Sequence, residues 1–519
     1  MTQQAIQWYP ANPAMRALLL ACIQETTPVY AVGGFVRDQL LGKSKEQSDL
    51  DLVVPQAAMT TARRVADRTG WAYYPLDEGR DVGRLVFTAN VGEPLVCDVA
   101  RMRGDDIETD LLARDFTINA LAVAYASGTQ PRLLDVTGGQ ADLGQKLVRR
   151  VSMASLAEDP VRMVRAVRLS LQLGFTIEKE TRQQIERLSG TISATSPERL
   201  RDELWKVLAL DQPDVGLEEL RTLGILRHAL PELSATIGIE QSLPHTLDVY
   251  WHTLHTVRQA RMLRDWLKGS QELVDEQATL KDTLQPYLFF LRQHFLKPLA
   301  AQRQRADWLV WLALLHDIGK PTTRSSEKSE SGPVRYRFLE HELRGAEMAV
   351  RRLEAMRFSR NEIDLANVVI RGHMRPHLLD QSFRQQSLSP RARYRFFRDI
   401  GGSQFADPPG IDTILLALAD VLATNPHFLP EQWDDYRKHM AELLYFAYSD
   451  ETAANSRQQP LVDGHMVMRA TGIQPGRQLG ALLEQIFEAQ VAGEIVSEEE
   501  ALVLAQTLWE GTKNDKITG

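Results

Sequence analysis

Residues 29–54, VYAVGGFVRDQLLGKSKEQSDLDLVV, hold two groups of residues suited to one chemistry. An apolar strand-like run, Val29 to Val32, meets Gly33 and Gly34, where the backbone can turn tightly and open a helix with unpaired N–H groups. Such a helix start attracts a phosphate, and Arg37, one turn on, could reach the same anion. Asp49 and Asp51 follow; on a strand their carboxylates share a face while Leu50 and Leu52 enter the core. Two carboxylates that close repel unless a divalent cation lies between them, and Mg²⁺ shared with substrate phosphates is the expected occupant. A Gly pair or an Asp-x-Asp alone is common as a turn or a solvated edge strand. The order strand, Gly-Gly, helix, acidic strand is far more specific.

A second donor set lies downstream. His252, the adjacent His316-Asp317 at the end of the apolar run WLVWLALLHDIGK, His341, His373 and Asp420 fall on successive helical stretches. A lone His on an apolar face is usually a core residue, but this many imidazoles and carboxylates suit Mn, Fe, Ni or Zn. Cys22 and Cys97 are the only thiols, so no cysteine metal site or disulfide framework is expected.

The elements that must position these residues change character near residue 150. Before it, strand-like runs (Pro28 to Val32, Leu50 to Val54, Arg84 to Thr88, Pro94 to Ala100) alternate with helices, as in a mixed α/β domain. After it the period is almost wholly helical. Polar stretches from Lys268 to Thr283 and from Thr322 to Pro333 read as loops, and Ser449 to Gln459 as a linker. The 519 residues predict two to four domains, and 44% hydrophobic with 25% charged residues excludes a wholly disordered chain. No apolar run reaches the roughly 18 residues of a membrane helix, and residues 1–12 lack a signal-peptide pattern, so a cytoplasmic protein is expected. A net charge of −8 argues mildly against nucleic acid, yet residues 145–206 hold 12 Lys/Arg against 8 Asp/Glu, a localised basic footprint.

GGFVRDQLLG followed by DLDLVV resembles the signature of the class II tRNA nucleotidyltransferase (CCA-adding enzyme) / bacterial poly(A) polymerase family, within the polymerase-β superfamily. LLARDFTINALA, residues 111–122, is similar to that family's RRDFTINA motif, and EDPVRMVRAVR, residues 158–168, to its EDxxRxxRAxR element. The resemblance implies that Arg114 and Asp115 contact the incoming nucleotide, the carboxylate selecting a ribose 2′-OH, with Asn119 one helical turn on near the triphosphate. Asp159, Arg162 and Arg165 lie three apart on one helix face. A carboxylate beside a forked guanidinium can mimic a Watson–Crick edge, and the family uses the Asp159–Arg162 pair to select C or A without a template. Asp98, in LVCDVA, is by superfamily analogy a third metal-side carboxylate, or else caps the following turn. Residues from Pro197 to Glu203 resemble the element that buttresses the base-reading helix.

The downstream set resembles the HD phosphohydrolase superfamily, whose order is His, His-Asp and a distal Asp; His245, His255 and His377 are read as structural or supporting. The implied architecture is an α+β multidomain chain: a polymerase-β-like nucleotidyltransferase head (1–150), an all-helical neck (151–240), an HD-type helical domain (241–450) and a helical tail (451–519). In the tail Glu498 to Glu500 are acidic, leaving Arg469 and Arg477 as RNA contacts. The implied activity is addition of C and/or A from CTP and ATP to the 3′ end of tRNA. Addition of CC only, poly(A) tailing, or an HD phosphohydrolase with an RNA-binding N-terminal half are the alternatives. Two departures stand out: the motif's first Arg is Ala113, and the connection after Asp98 is short. The short connection resembles enzymes that add only CC.

Overall fold

A computed structural model describes residues 8–43, 49–88, 94–274, 278–300, 303–327, 334–384, 386–402, 407–425, 428–429, 431–449 and 460–515. The chain forms two compact units: Met1–Leu210 with Glu218–Ala229, and Asp211–Leu217 with Leu230–Gly519.

The first unit is built on a seven-stranded sheet. Its strands are β1 (Val29–Val32), β2 (Asp49–Val54), β3 (Ala72–Asp77), β4 (Val82–Phe87), β5 (Leu95–Arg101), β6 (Leu121–Tyr125) and β7 (Arg132–Asp135), in the order β3-β4-β5-β2-β1-β6-β7. Every pairing is antiparallel except β2 with β5. Val29, Ala31, Leu50, Leu52, Val53, Val54 and Leu121 to Val123 are buried, while Asp49 and Asp51 alternate outward. The helix Ala58–Thr69 packs on β4 and β5, where a side-chain carbon at Gly83 would lie 2.8 Å from Ala62 Cβ.

The four expected strand runs are strands. RDFTINALA, expected to be helical, is not: a 3₁₀ turn, Thr117–Asn119, leads directly into β6. The apolar run Leu121–Tyr125 finds a buried place between β1 and β7, and that pairing overrides helical propensity. The connection between β5 and the helix Ile107–Leu112 is only residues 102–106. Beyond the sheet, helices Val161–Leu173 and Pro197–Leu208 pack together within the same unit.

The second unit is helical. Val249–Lys268, Arg305–Leu315 and Gly410–Ala423 pack mutually, and Arg360–Gly372 lies against the latter two and His341–Ala355. Trp308 and Trp311 are buried against Phe358. His252 lies one turn inside its helix, with Asp248 capping through a 2.8 Å bond from Trp251 N. The stretch expected as a loop from Lys268 to Thr283 contains most of a helix, Ala278–Leu284, and Arg324–Glu327 pairs antiparallel with Arg335–Phe338. The expected linker lies, beyond Ser449, outside the described residues. Helices Gly464–Thr471, Arg477–Val491 and Glu498–Asp515 enclose their own apolar cluster around Val467, Leu482 and Ile486. Arg395 joins this group through Glu488 at 2.7 Å. No helix among the described residues is long and apolar enough to cross a membrane.

Candidate functional site

A pocket of about 1270 Å³ opens over the C-terminal end of β1 and its neighbours. Gly33 leaves β1 at φ +70°, ψ −133°, a conformation other residues rarely adopt, and caps the helix Gly34–Leu40. A side-chain carbon there would stand 3.5 Å from both Asp51 Oδ2 and Arg114 Nη1, so the turn, the acidic strand and the RDFTINA segment meet at one point. Arg37 is buried; its Nη1 donates to Asn119 Oδ1 at 2.8 Å and its Nε to Asp38 Oδ1 at 2.8 Å. Asn119 Nδ2 donates in turn to Asp115 Oδ1 at 3.2 Å, and Arg165 Nη1 lies 3.2 Å from Asp115 Oδ2. Burial opposes charge on Asp115, but Arg165, the Phe116 N–H and Asn119 outweigh it and hold its pKa below the usual carboxylate range.

The parallel register pairs Asp51 with Asp98, bringing Asp98 to the face of Asp49 and Asp51. Asp51 is solvent-accessible on the floor of a concave site with protein on most sides. That partial desolvation, then the charges of Asp98 and Asp49, raise its pKa to about 6. A crowded acidic floor of this kind fits a hard divalent cation. Asp98 itself is held by Arg84, whose Nε and Nη2 each donate at 2.8 Å, so it braces the floor through a guanidinium. Neither Arg84 nor Asp110, which anchors Arg114 at 2.8 Å, carries a sequence signal of its role. Only strand register and a tertiary contact mark them.

Asp159 ends the short helix Ser155–Glu158, and Arg162 lies in the next helix with its Nε 3.5 Å from Asp159 Oδ2. Arg162 departs from the expected open fork. Its Nη1 donates to the carbonyls of Arg114 (3.3 Å) and Ser155 (3.1 Å), and Nη2 to that of Ala113 (3.1 Å). Those bonds leave one Nη2 proton for a ligand. Arg199 donates to Asp159 Oδ2 at 2.6 Å, whereas Asp159 Oδ1 is buried with no hydrogen-bond partner.

In the second unit His252, His316, Asp317, His341, His373 and Asp420 come together, all buried. The Nδ1 of His316, His341 and His373 donates to the carbonyl three residues back, Ala313 (2.8 Å), Phe338 (2.7 Å) and Ile370 (2.6 Å), and that of His252 to Ala423 (3.3 Å). Every Nε2 therefore faces inward, which is how metal-binding imidazoles are oriented. His252 Nε2 approaches Asp420 Oδ1 at 2.8 Å without the alignment of a hydrogen bond, and both atoms, like His316 Nε2, are buried and unbonded. Two triads share Asp317: His252, His316, Asp317 and Asp317, His341, His373, each with donor atoms within 4.8 Å of one another. Burial opposes a proton on His316, but Asp317 and Asp420 raise its pKa to about 10, the pull of two carboxylates on any positive charge placed between them. The donor set fits a transition-metal ion. Of the supporting histidines, His377 reaches Asp420 Oδ2 at 3.1 Å and His245 meets the His252 ring at 4.7 Å, while His255 belongs to neither triad. Lys320 Nζ lies 2.6 Å from Asp317 Oδ2. Arg469 and Arg477 in the tail are exposed.

A strand–Gly-Gly–helix turn facing an acidic strand, followed by a helical His/Asp centre, defines a nucleotidyltransferase head joined to an HD-type body. Three family models match: "Poly A polymerase head domain" over residues 29–149, "Probable RNA and SrmB-binding site of polymerase A" over 174–237, and "HD domain" over 249–425. The chain is 29% identical to a CC-adding tRNA nucleotidyltransferase of Thermus thermophilus over 94% of this chain and 95% of that one. It is 29% identical to an A-adding tRNA nucleotidyltransferase of Deinococcus radiodurans (93% and 95%), and 30% identical to a Multifunctional CCA protein of Pseudomonas paraeruginosa (67% and 75%). Its fold is similar to that of a CCA-adding enzyme in apo form, with a TM-score of 0.57 at 19% identity over 95% and 94% of the chains. The chain belongs to the tRNA nucleotidyltransferase / poly(A) polymerase family.

Proposed function

We propose that this chain is a template-independent nucleotidyltransferase that adds C and/or A, from CTP and ATP, to the 3′ end of tRNA in the cytoplasm. The observation that carries the reading is the convergence on one pocket of Asp49 and Asp51, the Gly33-Gly34 turn with Arg37, and the unbonded Asp159 Oδ1. Cytosine and adenine present an exocyclic amine where uracil and guanine present a carbonyl, so a lone carboxylate acceptor favours the first two. The free Arg162 Nη2 proton would serve a ring nitrogen. Gly33, Gly34, Arg37, Asn119 and Arg114 hold the triphosphate, Asp115 accepts from the ribose 2′-OH, and Arg165 keeps that carboxylate in place. Mg²⁺ held by Asp49 and Asp51 would activate the acceptor 3′-hydroxyl and draw charge from the triphosphate. The 3′-oxygen bonds to the α-phosphorus as the α–β bridging bond breaks; pyrophosphate leaves and the hydroxyl proton passes to water.

Whether C, A or both are added turns on the residue 102–106 connection, whose shortness supports addition of CC only. The test is purified protein, Mg²⁺, each labelled NTP separately, and tRNA transcripts ending at the discriminator base, at C or at CC. Incorporation that survives Asp49→Ala with Asp51→Ala would sink the metal assignment, and ready addition of A to the CC end would overturn CC-only addition.

The inward Nε2 atoms of the second unit support a further activity, a metal-dependent phosphohydrolase in which an ion at His252, His316, Asp317, His341, His373 and Asp420 would activate a water. Phosphomonoesters and 2′,3′-cyclic phosphates assayed with Mn²⁺, Ni²⁺, Fe²⁺ or Zn²⁺ test it. No turnover with any of them would leave these residues a structural role.

A further inference from the structure

Arg103 lies in the connection between β5 and the helix Ile107–Leu112 and lines the pocket of the acidic pair. Its backbone N donates to Asp110 Oδ1 at 3.1 Å, and its Nη1 donates to the Ala113 carbonyl at 3.1 Å. Arg162 Nη2 donates to that same carbonyl at 3.1 Å, so two guanidinium nitrogens lie no more than about 6 Å apart. No ion pair joins the Arg103 guanidinium to a carboxylate of the described residues. Arg80, in the turn between β3 and β4, lines the same pocket, its only ion pair among the described residues an exposed contact at 3.7 Å from Asp77. The protein around Arg103 lowers its pKa, and Arg114, Arg162 and Arg80 lower it further against the pull of Asp110. Like charges gathered beside a pocket, without a full set of counter-charges, describe an anion site awaiting its anion.

Two anions enter this pocket, the triphosphate and the acceptor RNA, and the sheet order separates them. The Gly33-Gly34 turn and Arg37 follow β1, Asp49 and Asp51 lie on β2, and Arg103 follows β5 and Arg80 precedes β4, the strands on the far side of β2 from β1. In-line displacement places the attacking oxygen opposite the leaving pyrophosphate across the α-phosphorus. With the leaving group over the β1 side, the acceptor strand approaches from the β5–β4 side. We propose that Arg103, assisted by Arg80, grips the phosphodiester nearest the 3′ end of the acceptor RNA. The inference rests on the nucleotidyl-transfer reading.

Steady-state kinetics of the full chain with Mg²⁺, varying either NTP or tRNA transcript, test it in wild type, Arg103→Ala, Arg103→Lys and Arg80→Ala. The expected result for Arg103→Ala is a rise of about tenfold in KM for the transcript, with KM for the nucleotide unchanged within about twofold. The log–log salt dependence of transcript binding should flatten by about 0.7, the value of one phosphate contact on a single strand, and Arg103→Lys should restore it. Arg80→Ala, altering an exposed turn, should shift the transcript in the same direction and keeps the test open if Arg103→Ala does not fold. A raised nucleotide KM with the transcript unaffected would assign Arg103 to the triphosphate instead and overturn the proposal. So would unchanged transcript binding in Arg80→Ala and Arg103→Ala beside an active wild type. A wild type that incorporates nothing overturns the parent reading.

Discussion

At the scale of single residues, Asp159 makes the strictest demand on the incoming base. One carboxylate oxygen is spoken for by Arg199 and the other is buried without a donor. Asp159→Ala should lower kcat/KM for CTP and ATP while leaving UTP little changed, narrowing discrimination by about 10–100-fold, the worth of one hydrogen bond involving a charge. Competition between labelled CTP and UTP measures it, and unchanged selectivity would remove Asp159 from base reading. In the other unit, His316→Ala should weaken transition-metal binding by more than the roughly 10–100-fold that loss of an outer hydrogen-bond partner causes. Metal content after dialysis against a buffered ion checks that. Much at this scale was legible in the sequence: an Asp-x-Asp on a strand has a fixed face, and the histidines could be listed before their convergence was known. What was not legible is how side chains are occupied. Nothing in EDPVRMVRAVR reveals that Arg162 spends three donors on the carbonyls of residues 113, 114 and 155.

Elements hold these residues through a few close approaches. Gly319, just after His316-Asp317, faces the start of the helix His341–Ala355; a side-chain carbon there would collide with the His341 carbonyl and stand 2.6 Å from Gly345 N. Gly319→Ala should therefore push that helix outward, lower stability by about 1–3 kcal/mol, and separate His341 from Asp317. Urea unfolding and metal titration report the two effects separately. A second tie is Asp412, whose carboxylate receives Arg305 Nη2 at 2.6 Å and His294 Nε2 at 2.9 Å between three helices. Burial opposes its charge, but Arg305 and His294 lower its pKa to about 2. A depressed pKa contributes stability that is present above the ordinary carboxylate range, near 4, and is lost as pH falls toward 2. Asp412→Asn should cost about 3–5 kcal/mol at neutral pH, with the gap to wild type narrowing by about 2 kcal/mol as pH falls from about 4 through 2. Denaturant midpoints across that range decide it. The same scale explains the misread RDFTINA segment. A five-residue apolar run is ambiguous in period, and its neighbours β1 and β7, distant in sequence, settle it as a strand.

For the whole molecule, a net charge of −8 and an RNA partner are compatible because the arginines collect where they are used, around the acidic floor. Two compact units, each with the ligand proposed for it, predict separable unfolding. In calorimetry of the full chain, a saturating transition-metal ion should raise one transition and Mg²⁺–CTP the other, each by about 2.7 kcal/mol at 100 times Kd. A single transition shifted equally by both would show the units to be energetically fused. The rings of His316, His341 and His373 are each aimed by a carbonyl three residues earlier on their own segment. Orientation is thus encoded in short stretches of chain, while the meeting of the three rings depends on how those stretches pack. Ring direction and ring convergence are therefore separable properties: a substitution in the apolar body should move the rings apart before it turns any of them.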